Sequence, residues 1–279
     1  MTSTRRSLQR PSSGTFLWSI VIASTILAHL ERTDVVFTTA RAAQFGDTSV
    51  QSAVRVLQGM ARSGLVTRVT RGVWAITHHP DFSPYAVLPF ILGTQQDGHH
   101  SSGDEPWSAP IDDVAANHHA SRAGYVSFVS ALHLHGMLSQ IPRAIHVAVP
   151  KQRRPLDTPV ARYVFHRRMP SQAPATTPGD RWGRFALATP AQALVDTMYV
   201  SVHRGRQFAH LPEIELPSTV DLSRAQGRRS SPSRQMTRLF GEVAAIISGI
   251  QRPETREAVA ARWALLQTSI RSVVFPADE

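Results

Sequence analysis

The sequence predicts an α+β protein, with an N-terminal winged helix-turn-helix domain followed by a mixed α+β domain that has a small sheet and C-terminal helices. Three observations predict it. The stretch Thr38 to Ile76 runs in the order helix, turn, helix, hairpin. From Gly124 onward, short apolar runs of strand character alternate with short apolar helices. Two longer helical patterns close the chain. The 279 residues suffice for about two domains at ~100–200 residues each. The expected division is 1–92 for the winged helix-turn-helix domain, 93–122 for a flexible linker and 123–279 for the α+β domain.

The chain opens with Arg5, Arg6 and Arg10 ahead of an apolar run from Phe16 to Leu30, the outline of a signal peptide. Fifteen residues interrupted by Ser19, Ser24 and Thr25 fall short of the ~20 that cross a membrane as a helix. No convincing small-x-small cleavage site follows. The run instead supplies the first helix that a winged-helix core requires, and no membrane association is expected. Thr38 to Gly46 follows as a short helix of small residues, ended by Gly46 in a left-handed conformation. Asp47, Thr48 or Ser49 can cap the next helix, about Ser49 to Ser63. Its apolar positions Val50, Ala53, Val54, Leu57, Met60 and Ala61 form one stripe at a period of 3.6 residues. Ser52, Arg55, Gly59 and Arg62 lie opposite, with Thr48 and Gln51 beside them. Gly64 stops this helix, and Leu65 to Ile76 reads as two short strands turning at Thr70 to Gly72.

A helix with a polar, cationic outer face can enter the DNA major groove. A wing tip with Arg68 and Arg71 can neutralise phosphates or reach the neighbouring groove. The candidate DNA-contacting residues are Thr38, Thr39, Arg41, Thr48, Ser49, Gln51, Ser52, Arg55, Arg62, Arg68, Thr70 and Arg71. The alternative is a helical hairpin packed on a small sheet whose arginines only keep the surface solvated. Charge bears on the choice. Thirty basic against twenty acidic residues give a formal net charge of +10, and Lys151 is the single lysine. Arginine's planar fork suits bidentate phosphate and guanine contacts, although a codon bias explains much of the arginine preference. Such a bias does not explain the net charge. Residues 1–76 hold nine arginines against Glu31, Asp34 and Asp47, a balance of +6 where the DNA-reading pattern lies.

After the wing, Pro80 to Leu92 reads as a turn and a short apolar helix, and Gly93 to Arg122 loses periodicity, as a linker does. Ser127 is placed to cap a buried helix from Phe128 to His135 that Gly136 terminates. Ala144 to Pro150 and Val160 to His166 have strand character and are joined by a basic turn with Lys151, Arg153 and Arg154. Trp182 to Ala188 is a third strand candidate. Thr189 as cap and Pro190 at the first position start a helix through Tyr199, apolar except for Gln192, Asp196 and Thr197. A low-order stretch spans Pro212 to Arg234. The closing helices are about Ser233 to Ile250 and Pro253 to Ile270, with Glu254 and Glu257 complementing the dipole of the second.

The absence of cysteine excludes disulfides, thiol catalysis and zinc fingers, and is compatible with a reducing cytoplasm, the expected location. Thirteen histidines include the pairs His78-His79, His99-His100 and His118-His119, but chain neighbours point in different directions and no metal site is expected. His133 and His135, two apart on a helix, do not share a face and read as structural. No nucleophile elbow, phosphate loop or zinc-protease signature is present. A restriction-type nuclease needs clustered carboxylates and a nearby lysine. Lys151 has only Asp157 near it, while Asp196, Glu213 and Glu215 have no lysine at useful spacing. Neither catalytic residues nor a cofactor are expected.

Both halves resemble the AbiEi family of antitoxins and transcriptional regulators from bacterial type IV toxin–antitoxin systems. Gly64-Leu65-Val66 and Arg71-Gly72-Val73-Trp74 match the family's wing. More distinctive are Gly124-Tyr125-Val126-Ser127, Ser130 to Met137, Gln140-Ile141-Pro142-Arg143 and Ala188 to Asp196. At Ala191-Gln192 the family usually has Glu-Lys, a departure that removes that charged pair while keeping Asp196. The resemblance covers about Phe16 to Tyr199. It implies a repressor that binds inverted repeats in double-stranded operator DNA through its N-terminal domain. It also implies a C-terminal domain that counteracts a co-encoded nucleotidyltransferase-like toxin without a stable complex. The alternative function is a winged-helix protein fused to a nuclease-like domain acting on DNA.

Overall fold

A computed structural model describes residues 21–30, 34–93, 124–168, 176–178, 185–204, 208, 214 and 232–274. Outside them fall the expected linker from residue 94, most of the low-order 212–234 stretch, the start of the first helix, and the His99-His100 and His118-His119 pairs. The chain is mixed α+β and divides into two compact units, the first ending at Val87 and the second starting at Leu88.

In the first unit, helix α1 covers residues 21–30. Strand β1 (Val36–Thr38), helix α2 (Thr39–Phe45), helix α3 (Val50–Arg62) and the hairpin β2 (Thr67–Thr70) and β3 (Val73–Ala75) follow. β1 was not legible in the sequence. It pairs antiparallel with β3, Thr38 opposite Val73, so the sheet order is β1-β3-β2. The core is built from Ile26 and Leu30 of α1, Phe37, Ala42, Leu57, Met60, Val66, Trp74 and Ile76.

Two expectations are corrected here. Gly46 is not left-handed: its φ is −85°, and Asp47 takes the positive value of 43°. Glycine suits 46 through close approach, because a Cβ there would meet side-chain atoms of Ile22 and Ile26 at 3.0 Å, and those side chains would have to give way. Val50, assigned to the core stripe of α3, is 53% exposed. It stands at the first helical position, where the chain has not yet turned onto the core, and Ala53, Leu57 and Met60 carry the buried face. The end of α3 is a Schellman turn, Leu65 N–H to the Met60 carbonyl at 2.9 Å and Gly64 N–H to that of Ala61 at 3.1 Å.

The second unit begins with helix α4 (Leu88–Leu92), so the division lies a few residues ahead of the boundary expected at residue 92. Arg153 donates to the Ile91 carbonyl at 2.9 Å and ties α4 to this unit. Then come β4 (Tyr125–Val126), α5 (Phe128–Leu134), β5 (Ile145–Val149), β6 (Leu156–Asp157), β7 (Arg162–Arg167), β8 (Thr176–Pro178) and β9 (Ala186–Ala188). The helices α6 (Pro190–His203), α7 (Pro232–Ser248) and α8 (Pro253–Val274) complete it. The six strands form one mixed sheet in the order β6-β7-β5-β4-β9-β8. β5 and β7, the two runs joined by the basic turn, lie parallel, from Ile145 opposite Tyr163 to Val149 opposite Arg167. The intervening chain forms the edge strand β6, which pairs antiparallel with β7 and provides the reversal.

Thr189 caps α6 by accepting from the Gln192 N–H, and Pro190 occupies its first turn. α6 is buried on nearly every side, as an almost uniformly apolar helix must be. α5, α7 and α8 all pack on it. Its polar residues Gln192, Asp196 and Thr197 lie inside as well. No described helix is long and apolar enough to cross a membrane.

Candidate functional site

Two places in the described residues concentrate polar groups: the outer surface of the first unit, and a buried network in the second.

At the first, local capping sets the geometry. Thr38 caps α2 by accepting from the Arg41 N–H at 3.1 Å. Ser49 caps α3 by accepting from the Ser52 N–H at 3.2 Å, and its hydroxyl also donates to Ser52 Oγ at 3.0 Å. With Ala53, Leu57 and Met60 facing the core, Gln51, Arg55 and Arg62 are exposed, and Thr48 and Ser52 are half-buried beside them. Arg62 Nε donates to the Gln58 carbonyl at 3.3 Å, at the end of α3 where the helix dipole favours a cation. Arg68 and Arg71 are exposed on the hairpin and Thr70 is half-buried. Among the described residues, nothing holds the guanidinium of Arg55 or Arg71 in a hydrogen bond or ion pair. From Thr48 to Ile76 the chain has four arginines and no acidic residue, and among the described residues none of the four is ion-paired.

Two of the expected contact residues are engaged within the fold. Thr39 is buried at 8% exposure, and its Oγ1 accepts from the Trp74 indole N–H at 3.0 Å. Its side chain is therefore withdrawn from solvent, because the strand pairing of β1 with β3 places α2's first turn against Trp74. Arg41 lies over the Phe45 ring at 4.4 Å and 3.7 Å from an Asp34 carboxylate oxygen, contacts that hold it along its own unit.

The second place centres on Asp196, which is fully buried. One carboxylate oxygen accepts from Tyr125 Oη at 2.9 Å and Ser127 Oγ at 2.8 Å. The other accepts from Arg168 Nε at 2.7 Å and Gln192 Nε2 at 2.8 Å. The guanidinium of Arg168, itself buried, lies 4.1 Å from the Tyr199 ring centroid. Four donors fill the lone-pair positions of a carboxylate, so Asp196 has no coordination site left for a metal or substrate. Burial, then the neighbouring Asp196, pushes the Tyr125 hydroxyl well above its ordinary range. Burial works against the Arg168 charge, but Asp196 outweighs it and the guanidinium's proton is held more tightly. Ser127 was expected as a helix cap. It stands at that position, but its hydroxyl serves Asp196 and makes no cap bond. The sequence signal for this network was an acid and an amide, Asp196 and Gln192, on an otherwise largely apolar helix.

Beside it lies an imidazole pair that the sequence did not announce. His146 Nδ1 and His166 Nε2 are 2.8 Å apart, with rings nearly parallel. Phe128 and Phe208 pack on the pair, and both have left-handed backbones, φ 59° and 58°. Burial lowers His146 to about 4, and burial together with His146 and Arg204 lowers His166 to about 3. His133 and His135 are bound to backbone carbonyl oxygens, those of Leu138 at 3.2 Å and Ala188 at 2.7 Å. Among the described residues no group of three or more histidines and carboxylates stands close enough to hold a metal ion. No protein-family model matches the chain, and no curated protein matches it.

Asp196→Asn keeps the shape of the side chain but leaves the Arg168 charge buried without its counter-ion. A loss of roughly 3–5 kcal/mol is expected, read as a lower urea midpoint for the full chain. Asp157→Asn, at an exposed pair 3.5 Å from Arg162, is expected to change little.

The imidazole pair makes stability depend on pH. Both rings are neutral in the folded state, with values depressed below the ordinary 6.5, so the unfolded chain binds more protons as pH falls. Their contribution is complete above pH ~6.5 and is lost as pH falls toward about 4 for His146 and about 3 for His166, at about 1.4 kcal/mol per pH unit for each ring. Urea unfolding followed by circular dichroism between pH 7.5 and 5 measures this slope. His166→Phe, which keeps the ring and removes one titrating group, is expected to flatten it.

Proposed function

We propose that the first unit is a winged helix-turn-helix that binds double-stranded DNA, with α3 as the reading helix and the β2–β3 hairpin as the wing. One observation carries this reading. Gln51 and Arg55 project from the exposed face of α3 while Arg68 and Arg71 stand on the hairpin that follows, in a stretch with no acidic residue. The helix face is the right size for a major groove, and exposed arginines next to it can neutralise phosphates. Gln51 and Arg55 are assigned to base edges, Ser52 and Arg62 to the flanking backbone, and Arg68 and Arg71 to phosphates.

The sequence segments that resemble the AbiEi family support the larger reading: a cytoplasmic antitoxin and autorepressor of a type IV toxin–antitoxin operon, with no enzymatic activity of its own. In this reading the protein binds inverted repeats ahead of its own gene, and residues 123–279 counteract a co-encoded nucleotidyltransferase-like toxin without a stable complex.

Arg71→Ala is expected to weaken binding to all DNA sequences and to lower the slope of log affinity against log salt by about 0.9, one phosphate contact. Arg55→Ala and Gln51→Ala are expected to reduce discrimination between operator and mismatched DNA by ~1–3 kcal/mol per base contact. Mobility-shift titrations at several salt concentrations separate the two effects. Unchanged binding in all three variants would remove the DNA-binding assignment.

The antitoxin role is checked by co-expressing the full chain with the nucleotidyltransferase-like product of the neighbouring gene. Wild type and Arg55→Ala should both restore growth, because neutralisation is assigned to the second unit. Restoration by wild type alone would tie neutralisation to DNA binding and overturn that division of labour.

A further inference from the structure

Thr39 and Trp74 form a joint between α2 and the hairpin. Thr39 N–H donates to the Gly72 carbonyl at 2.9 Å, and its hydroxyl lies 3.4 Å from the same oxygen. That hydroxyl also accepts from Trp74 Nε1 at 3.0 Å, a buried bond between residues 35 apart in the chain. Gly72 is the second residue of the hairpin turn, with φ +77°, a conformation that L side chains rarely adopt. Arg71 precedes it in the same two-residue turn, so a bond that holds the far end of the turn restrains the segment from which the Arg71 side chain springs. Arg68 is directly opposite Trp74 in the β2–β3 register, and its guanidinium lies 5.9 Å from the Trp74 ring centroid. Both exposed arginines of the hairpin therefore stand on the same two side chains.

We propose that Thr39 and Trp74 are positioning residues for the wing arginines, holding Arg68 and Arg71 where both can meet phosphates of one duplex. This rests on the DNA-binding reading given above. Thr39 itself touches no DNA; it acts through Gly72 and Trp74. A flexible hairpin would have to be ordered on binding, and preorganisation removes that cost from the association. The hydroxyl is the necessary group. Valine at 39 keeps the β-branched shape but leaves the indole N–H buried without an acceptor, whereas serine keeps the acceptor.

The experiment uses the full-length chain and a duplex carrying the sequence upstream of its gene. Affinity is measured across a salt series for wild type, Thr39→Val, Thr39→Ser, Trp74→Phe, Arg68→Ala and Arg71→Ala. Thr39→Val is expected to lower the log–log salt slope by about 0.9 to 1.8, one to two phosphate contacts. Thr39→Ser should restore the wild-type slope. Trp74→Phe keeps an aromatic ring but lacks the N–H, and should lower the slope as Thr39→Val does. Adding Thr39→Val to the double variant Arg68→Ala/Arg71→Ala should lower the slope no further, since the groups it positions are gone. A purely structural role would reduce the melting temperature and leave the slope unchanged. If the arginine variants lower the slope while Thr39→Val and Trp74→Phe do not, the positioning role is overturned and the DNA-binding reading survives. Should Thr39→Val fail to fold, Trp74→Phe decides alone, on the same criterion. If the arginine variants leave the slope unchanged, the wing does not contact DNA and the positioning role falls, while the DNA-binding reading is decided by Arg55→Ala and Gln51→Ala.

Discussion

The second unit depends on one buried charge being neutralised in place. Asp196 sits on α6 with no solvent access, and an isolated carboxylate there would be too costly to bury. Its four donors come from β4, the start of α5, the end of β7 and the preceding turn of α6 itself. Those elements must arrive in register for any of the bonds to form. Tyr125 and Ser127 reach Asp196 across some seventy residues of chain, so the network specifies which strand stands next to which helix. A wholly apolar α6 could be packed in more than one rotation about its axis. The stripe of Gln192, Asp196 and Tyr199 selects one.

The first unit uses the same device at smaller scale. Trp74 supplies much of the apolar contact between hairpin and helices, and its single polar atom requires an acceptor once buried. Thr39 provides it. In both units a buried donor or acceptor turns general hydrophobic packing into a particular arrangement, because the penalty for leaving it unpaired falls on every alternative. The two differ in what they support at the surface. Around Asp196 the partners are consumed internally, while the Thr39–Trp74 joint carries exposed cations on its outer side.

Strain and low basicity meet at the His146–His166 pair. Two phenylalanines with left-handed backbones pack on it, each a conformation that costs of order 1–3 kcal/mol unless the surroundings enforce it. The surroundings here are aromatic, and burial among them is also what lowers the basicity of both imidazoles. Folding in this region thus depends on side chains whose charge state changes between the folded and unfolded chain.

Local rules of the sequence were enough to determine much of this protein. The cap at Thr189, and a cap for α3 among Asp47, Thr48 and Ser49, are visible because a polar oxygen ahead of an apolar period satisfies free N–H groups wherever it occurs. The exposed Arg55, Arg68 and Arg71 follow from helical and strand periodicity and from a stretch lacking acids. What the sequence could not decide were the non-local pairings. β1 is only three residues long and becomes a strand because β3 is beside it. The pairing of β5 with β7 was not readable either: β6 makes the reversal between them and leaves them parallel. Ser127 stands at a cap position but gives its hydroxyl to Asp196, and the Thr39 hydroxyl is bonded to Trp74, each a partner dozens of residues away. A hydroxyl can accept or donate in any direction; only tertiary structure decides which buried group reaches it first.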